Sequence, residues 1–136
     1  MPKVREVMST NVTTVEVPGR RQEAIDIMVK QDLTWLPVVK KGTNILVGVV
    51  TRSDLMSKPE EDQLALLMKR DPVAVSADAD IKEAVKLILD NNLNRLLVSS
   101  SKRELIGALT VKDIVYKVLV ETEKTKIVKP YVERTM

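Results

Sequence analysis

Two short stretches carry the residues best suited to hold a ligand. They are Gly48-Val49-Val50-Thr51-Arg52-Ser53-Asp54 and Gly107-Ala108-Leu109-Thr110-Val111-Lys112-Asp113. In both, an aliphatic strand ends in Thr and a helix opens near the Asp three residues later. A helix N-terminus offers unpaired backbone N–H groups and a partial positive charge, which suits an anionic phosphate. The Thr hydroxyl adds a donor. An ionised Asp is acceptor-only and can hold two neighbouring hydroxyls, such as a ribose diol. The competing reading makes Thr51 and Thr110 plain N-caps, with each Asp filling the first helical turn. One such motif favours the cap; two at matching points of a repeat favour a ligand.

The residue types that are missing narrow the chemistry. The 136-residue chain has no His and no Cys. It therefore lacks the commonest general base, the commonest metal ligand and any thiolate nucleophile. There is no nucleophile–base pair, no phosphate loop with Lys and no carboxylate cluster for a catalytic metal, so catalysis is not expected and no cofactor is required. With no Phe, one Trp and two Tyr, the core must be aliphatic. The net charge is +3, spread along the chain. Only Lys40-Lys41 and Lys124 to Lys129 are dense, and neither is interleaved with aromatics, so a nucleic-acid partner is disfavoured. No apolar run reaches the ~18 residues of a membrane span, and Met1 to Glu6 lacks the apolar centre of a signal peptide. A soluble, cytoplasmic protein is the expectation.

The elements that position these residues come in duplicate. Sliding the chain by 60 places sets Met8 on Met68, Val15 on Val75, Glu23 on Glu83, Ala24 on Ala84, Leu33 on Leu93, Leu36 on Leu96 and Val38 on Val98. One residue fewer in the loop around Lys41 to Asn44 changes the offset to 59, which sets Gly48 on Gly107, Thr51 on Thr110 and Asp54 on Asp113. Within each copy, Ala24, Ile25, Met28 and Val29, or Ile81, Ala84, Val85 and Ile88, mark one face of a helix. Asp78 or Asp80 can cap the second of these helices, and Asn91-Asn92 tolerates a left-handed stop. Aliphatic runs at Trp35 to Val39 and Ile45 to Thr51, and at Leu96 to Ser99 and Glu104 to Thr110, read as hairpins. The spacing predicts an α/β (α+β) fold of two pseudo-symmetric β-α-β-β-α units packed through their sheets. The units are residues 1–58 and 59–123, with a tail or linker at 124–136.

This order of motifs resembles a tandem pair of cystathionine-β-synthase (CBS) domains, the Bateman module, from Val4 to about Leu119. The matching elements are Met8 and Met68, the Asn-Val-Thr-Thr-Val and Asp-Pro-Val-Ala-Val strands, Leu36-Pro37-Val38-Val39 and Leu96-Leu97-Val98, and the duplicated Gly-x-x-Thr-x-x-Asp. The resemblance implies a pseudo-two-fold disc with two clefts that take AMP, ADP or ATP, in some members S-adenosylmethionine or NAD, and in others nothing. It implies that Asp54 and Asp113 bind ribose, that Thr51 and Thr110 lie near phosphate, and that the early strands at Val12-Thr13 and Pro72-Val73 read the adenine edge. Because those strands cross over, Thr13 would serve the Asp113 cleft and Val73 the Asp54 cleft. Arg95 matches a basic position that contacts phosphate, and an Arg fork suits that role.

The copies differ where Arg95 faces Trp35. The expectation is unequal clefts, with tighter phosphate-dependent binding by Thr13, Arg95, Thr110, Lys112 and Asp113. The Asp54 cleft would depend on Arg52, and Trp35 would either stack on a base or be a half-buried hairpin residue. The faces Leu64-Leu67-Met68 and Ile114-Val115-Val118-Leu119 are expected to remain free for a second module, giving a homodimer that regulates some other protein. In the tail, Val132 to Met136 echoes Val4 to Met8, as the start of a further CBS unit would. The alternative functions are a structural oligomerisation module with vestigial clefts, an S-adenosylmethionine or NAD binder, or a nucleic-acid binder using the modest basicity.

Overall fold

The computed structural model describes residues 1–120. The Lys-rich stretch, the echo at 132–136 and the last three residues of the second predicted unit lie outside the described residues. Copy one runs α1 (Val4–Val7), β1 (Val15–Val17), α2 (Arg21–Gln31), β2 (Trp35–Lys40), β3 (Leu46–Thr51) and α3 (Arg52–Ser57). Copy two runs a 3₁₀ turn (Leu64–Leu66), β4 (Lys69–Arg70), β5 (Ala74–Ser76), α4 (Ile81–Asp90), β6 (Arg95–Ser99), β7 (Leu105–Thr110) and α5 (Val111–Ile114). A wider helical turn, Val115–Val120, continues α5. This is the mixed α/β architecture that the duplicated pattern predicts.

Local chemistry explains each helix. In α4, Ile81, Ala84 and Ile88 are buried on one stripe, and Asp80 caps the start by accepting from the Lys82 N–H at 2.8 Å. In α2 the equivalent N-cap is Arg20, so Glu23 reaches back instead and accepts from the Arg20 N–H at 3.3 Å. The stops are left-handed residues at equivalent positions, Asp32 (φ 53°) and Asn92 (φ 52°). Asp and Asn tolerate that conformation better than other side chains.

The hairpins repeat the same register. Trp35 faces Thr51 and Leu36 faces Val50 in copy one; Arg95 faces Thr110 and Leu96 faces Leu109 in copy two. Parallel to these, β1 pairs with β2 through Val15 and Val38, and β5 pairs with β6 through Val75 and Val98.

The leading segment of each copy packs on the other copy. β4 lies antiparallel to β3, with Val49 facing Lys69 and Gly48 facing Arg70. Symmetrically, Ser9 bridges Ala108 on β7. The Val4 N–H donates to the Ala79 carbonyl at 2.9 Å, while the Leu64 N–H donates to the Gly19 carbonyl at 3.1 Å. Val4 and Val7 are consequently part of the copy-two core, with Ile81, Ile88, Leu96 and Leu109. Leu64 and Leu67 are part of the copy-one core, with Met28, Leu36, Val50 and Leu55. This corrects the expectation of a free Leu64-Leu67-Met68 face: Leu64 and Leu67 are 0% and 6% exposed, and Met68 is half-buried.

Gly48 and Gly107 permit the exchange. A Cβ on Gly48 would stand 2.7 Å from the Lys69 carbonyl oxygen and 2.8 Å from the Met68 sulfur. A Cβ on Gly107 would meet the Met8 sulfur at 2.7 Å and the Ser9 oxygen at 2.9 Å. The matched Met and Gly of the repeat are therefore contact partners across the copies. A third cluster, Val39, Leu46, Leu97 and Leu105, joins the two sheets. Hydrogen bonds between the hairpin tips, Leu46 N–H to the Arg103 carbonyl and Leu105 N–H to the Asn44 carbonyl, close that joint. Of the second expected free face, Ile114 is buried in the copy-two core and Val118 packs against it, while Val115 and Leu119 stay exposed with Met56, Val111 and Tyr116.

Candidate functional site

Both Thr-x-x-Asp motifs form capping boxes. The Asp54 N–H donates to Thr51 Oγ1 at 3.1 Å, and the Thr51 N–H donates to Asp54 Oδ2 at 2.9 Å. In copy two the corresponding distances are 3.0 Å for Asp113 to Thr110 Oγ1 and 3.1 Å for Thr110 to Asp113 Oδ2. The cap reading of these residues therefore holds, and it is compatible with ligand chemistry. Each box uses one lone pair of the hydroxyl and one carboxylate oxygen. The hydroxyl hydrogen and Oδ1 of each Asp remain available.

A cleft of about 680 Å³ opens between the copies beside the first box. Trp35, Val49 and Thr51 line it from copy one; Lys69, Pro72, Val73 and Arg95 line it from copy two. Its size falls within the range of small-molecule sites. A second lobe of about 560 Å³ shares Trp35, Thr51 and Arg95 with it and adds Arg52. Asp54 is linked to this space through Lys69: its side chain is 13% exposed, and Oδ1 faces the Lys69 ammonium at 3.7 Å.

The expected residues are only partly brought together. Thr51, Pro72 and Val73 share one cleft, because β4 runs along β3 and delivers the start of copy two to the end of copy one. The Ser9–Ala108 bridge brings the leading segment of copy one to β7, and Val12 packs against the cluster that joins the sheets. The Thr13 hydroxyl is engaged with Gln31, donating to Oε1 at 2.7 Å. Lys112 is exposed, and Asp113 is half-buried.

Arg95 lies at the joint. It lines the cleft that contains Thr51, and its guanidinium rests 4.8 Å from the centroid of the Trp35 ring. The sequence expectation assigns it to the Asp113 set, and it also faces Thr110 across β6 and β7. The reason is geometric: β2 and β6 start side by side at the joint between the copies, so the two residues that differ between copies meet each other. Trp35 in turn is half-buried with its face covered by a cation.

Lys69 and Arg70 are cleft residues that sequence reasoning passed over. The available signal was their position just before Pro72-Val73, the segment already expected to cross to Asp54. The surroundings of the two Thr-x-x-Asp motifs differ in charge as a result. The repeat sets Ser9 and Thr10 on Lys69 and Arg70, and Val111 on Arg52. Among the described residues, no group of three carboxylates gathers as a metal site would require.

Fold and cleft together define a tandem-repeat module with a cleft lined by both copies. The CBS domain model matches residues 4–61 and again 63–120, and the chain belongs to the CBS-domain family as a tandem pair. Inosine-5'-monophosphate dehydrogenase of Chlorobaculum parvum is 33% identical over 98 residues, 68% of this chain and 20% of that protein. The uncharacterized protein YlbB of Bacillus subtilis is 29% identical over 120 residues, 84% of this chain and 80% of that one. The chain thus spans about a fifth of the length of the dehydrogenases it matches. Among solved structures, CBSX2 of Arabidopsis thaliana in complex with AMP superposes with a TM-score of 0.77 at 26% identity, covering 90% of this chain and 99% of that one. Protein MJ1225 of Methanocaldococcus jannaschii shares the fold at a TM-score of 0.79 and 20% identity, over 88% of this chain and 51% of that one. No helix among the described residues is long and apolar enough to cross a membrane.

Proposed function

We propose that this chain is a non-catalytic regulatory module that binds an adenine nucleotide, AMP, ADP or ATP, between its two CBS copies and signals by a change in their packing. The observation that carries this reading is the cleft at Thr51. A carboxylate with one oxygen committed to its own helix and the other facing Lys69 adjoins a cleft that Lys69, Arg70 and Arg95 line. The Pro72-Val73 backbone passes the same space. CBSX2, crystallised with AMP, supports the reading by likeness. Ligand bound here touches both copies, so it favours whichever relative packing fits it best.

Thermal unfolding of the chain with AMP, ADP, ATP, NAD and S-adenosylmethionine tests this. A ligand that binds only the native state adds RT ln(1 + [L]/Kd) to stability. An upward shift with an adenine nucleotide, lost in Asp54→Ala, is the expected result. No shift with any of the five at millimolar concentration would instead favour a structural module with vestigial clefts. The exposed Val111, Val115, Tyr116 and Leu119 supply the surface for a homodimer in either reading.

A further inference from the structure

Lys69 of copy two occupies the Asp54 side of the cleft in a way its counterpart in copy one cannot match. Its ammonium stands 3.7 Å from Asp54 Oδ1, the carboxylate oxygen that the capping box leaves unused. The equivalent of Lys69 is Ser9, and the equivalence is structural as well as sequential. Lys69 faces Val49 on β3, and Ser9 bridges Ala108, the residue of β7 that corresponds to Val49. On the Asp113 side the residue equivalent to Lys69 is therefore the neutral Ser9.

The pair is built to be given up. At 3.7 Å it is an ion pair without a hydrogen bond, and the Lys69 side chain is 76% exposed, so water screens much of the attraction. A diol that donates to Oδ1 replaces it at little cost. The displaced ammonium, a point charge on a flexible four-carbon stem with three donors, then has a phosphate within the same cleft to turn to. Arg70 and Arg95 line that cleft too, with Asp71 as the opposing charge at its rim.

We infer that Lys69 is the residue that makes the Asp54 cleft selective for phosphorylated adenosine, by exchanging its contact with Asp54 for one with the ligand's phosphate. This rests on the nucleotide reading above. In the ligand-free protein Lys69 neutralises the lone carboxylate oxygen. In the bound protein the ribose holds that oxygen, and the ammonium reads the phosphate. The neutral Ser9 side confers no such preference on the Asp113 cleft.

Calorimetric titration of the 136-residue chain with adenosine and with AMP separates the outcomes, using wild type, Lys69→Met and Lys69→Arg. Lys69→Met keeps the aliphatic stem and removes the charge. It is expected to weaken AMP by about tenfold, the worth of one charge-assisted hydrogen bond at a partly open site. Adenosine should bind as well as before or slightly better, because Asp54 no longer has a competitor. Lys69→Arg should restore most of the AMP preference, and rising salt should erode it more steeply in wild type than in Lys69→Met. Equal weakening of adenosine and AMP, or an unchanged AMP affinity, would overturn the role of Lys69 while leaving the nucleotide site standing. Failure of wild type to bind either compound would overturn both.

Discussion

Arg95 lies over the face of Trp35, its guanidinium carbon 4.8 Å from the ring centroid. These two residues occupy the same position in the two copies, at the first residue of β6 and of β2. The pseudo-two-fold relation between copies is thus broken at its centre by a cation resting on an indole. A stack of this kind at a half-exposed site contributes about 0.5–1 kcal/mol. A double-mutant cycle with Trp35→Leu and Arg95→Met, read by urea unfolding, should return a coupling of that size. A coupling indistinguishable from zero would mean that the stack is packing alone.

The capping boxes make a prediction that separates stability from binding. Thr51→Ala and Thr110→Ala each remove a side-chain acceptor at a helix start, and each should cost about 1 kcal/mol. Because the Thr51 cleft holds the cations, only Thr51→Ala should also reduce the stabilisation by AMP. Chemical denaturation with and without AMP distinguishes the two effects.

Gly48 and Gly107 should not accept even a methyl group. An added Cβ at Gly48 meets the backbone oxygen of Lys69 at 2.7 Å, and backbone cannot step aside as a flexible Met side chain can. Gly48→Ala and Gly107→Ala should each destabilise by about 1–3 kcal/mol. Met68→Ala in the Gly48→Ala background should recover only part of the loss. Full recovery would place the clash on the sulfur alone.

The exchange of leading segments predicts an effect in the opposite copy. Val4 is fully buried in the cluster that holds Ile81, Ile88 and Leu109. Val4→Ala should cost about 2 kcal/mol. Hydrogen exchange should show the lost protection concentrated in α4 and β6, not in α2 and β2, although residue 4 belongs to copy one. Uniform loss across both copies would argue against two separable cores.

Much of this molecule is legible in the chain itself, and the reasons are local. Helical stripes such as Ile81, Ala84 and Ile88, the aliphatic hairpins, the duplicated Thr-x-x-Asp caps and the crossing of the early segments follow from periodicity, repeat and family resemblance. The amphipathic pattern of α4 needs no tertiary information, since its buried residues recur at helical spacing. The pattern 64–68 misleads for the same reason: an apolar stripe shows that a face is buried, not which surface buries it. Leu64 and Leu67 disappear into copy one because the leading segments exchange.

The composition of the cleft was the part that only the tertiary structure decided. Arg95 is unmatched in the repeat, and the sequence ties it to the motifs of its own copy. In the fold, β2 and β6 begin at the shared joint, so Arg95 meets Trp35 and lines the space of Thr51. Lys69 and Arg70 arrive there because β4 pairs with β3 across 20 residues of chain, from Val49 to Lys69. Sequence specifies which residues share a face within an element, through fixed helical and strand periods. Which elements from the two copies share a cleft depends on packing of the whole, and that packing sets Lys69, Arg70 and Arg95 around the cleft that contains Thr51.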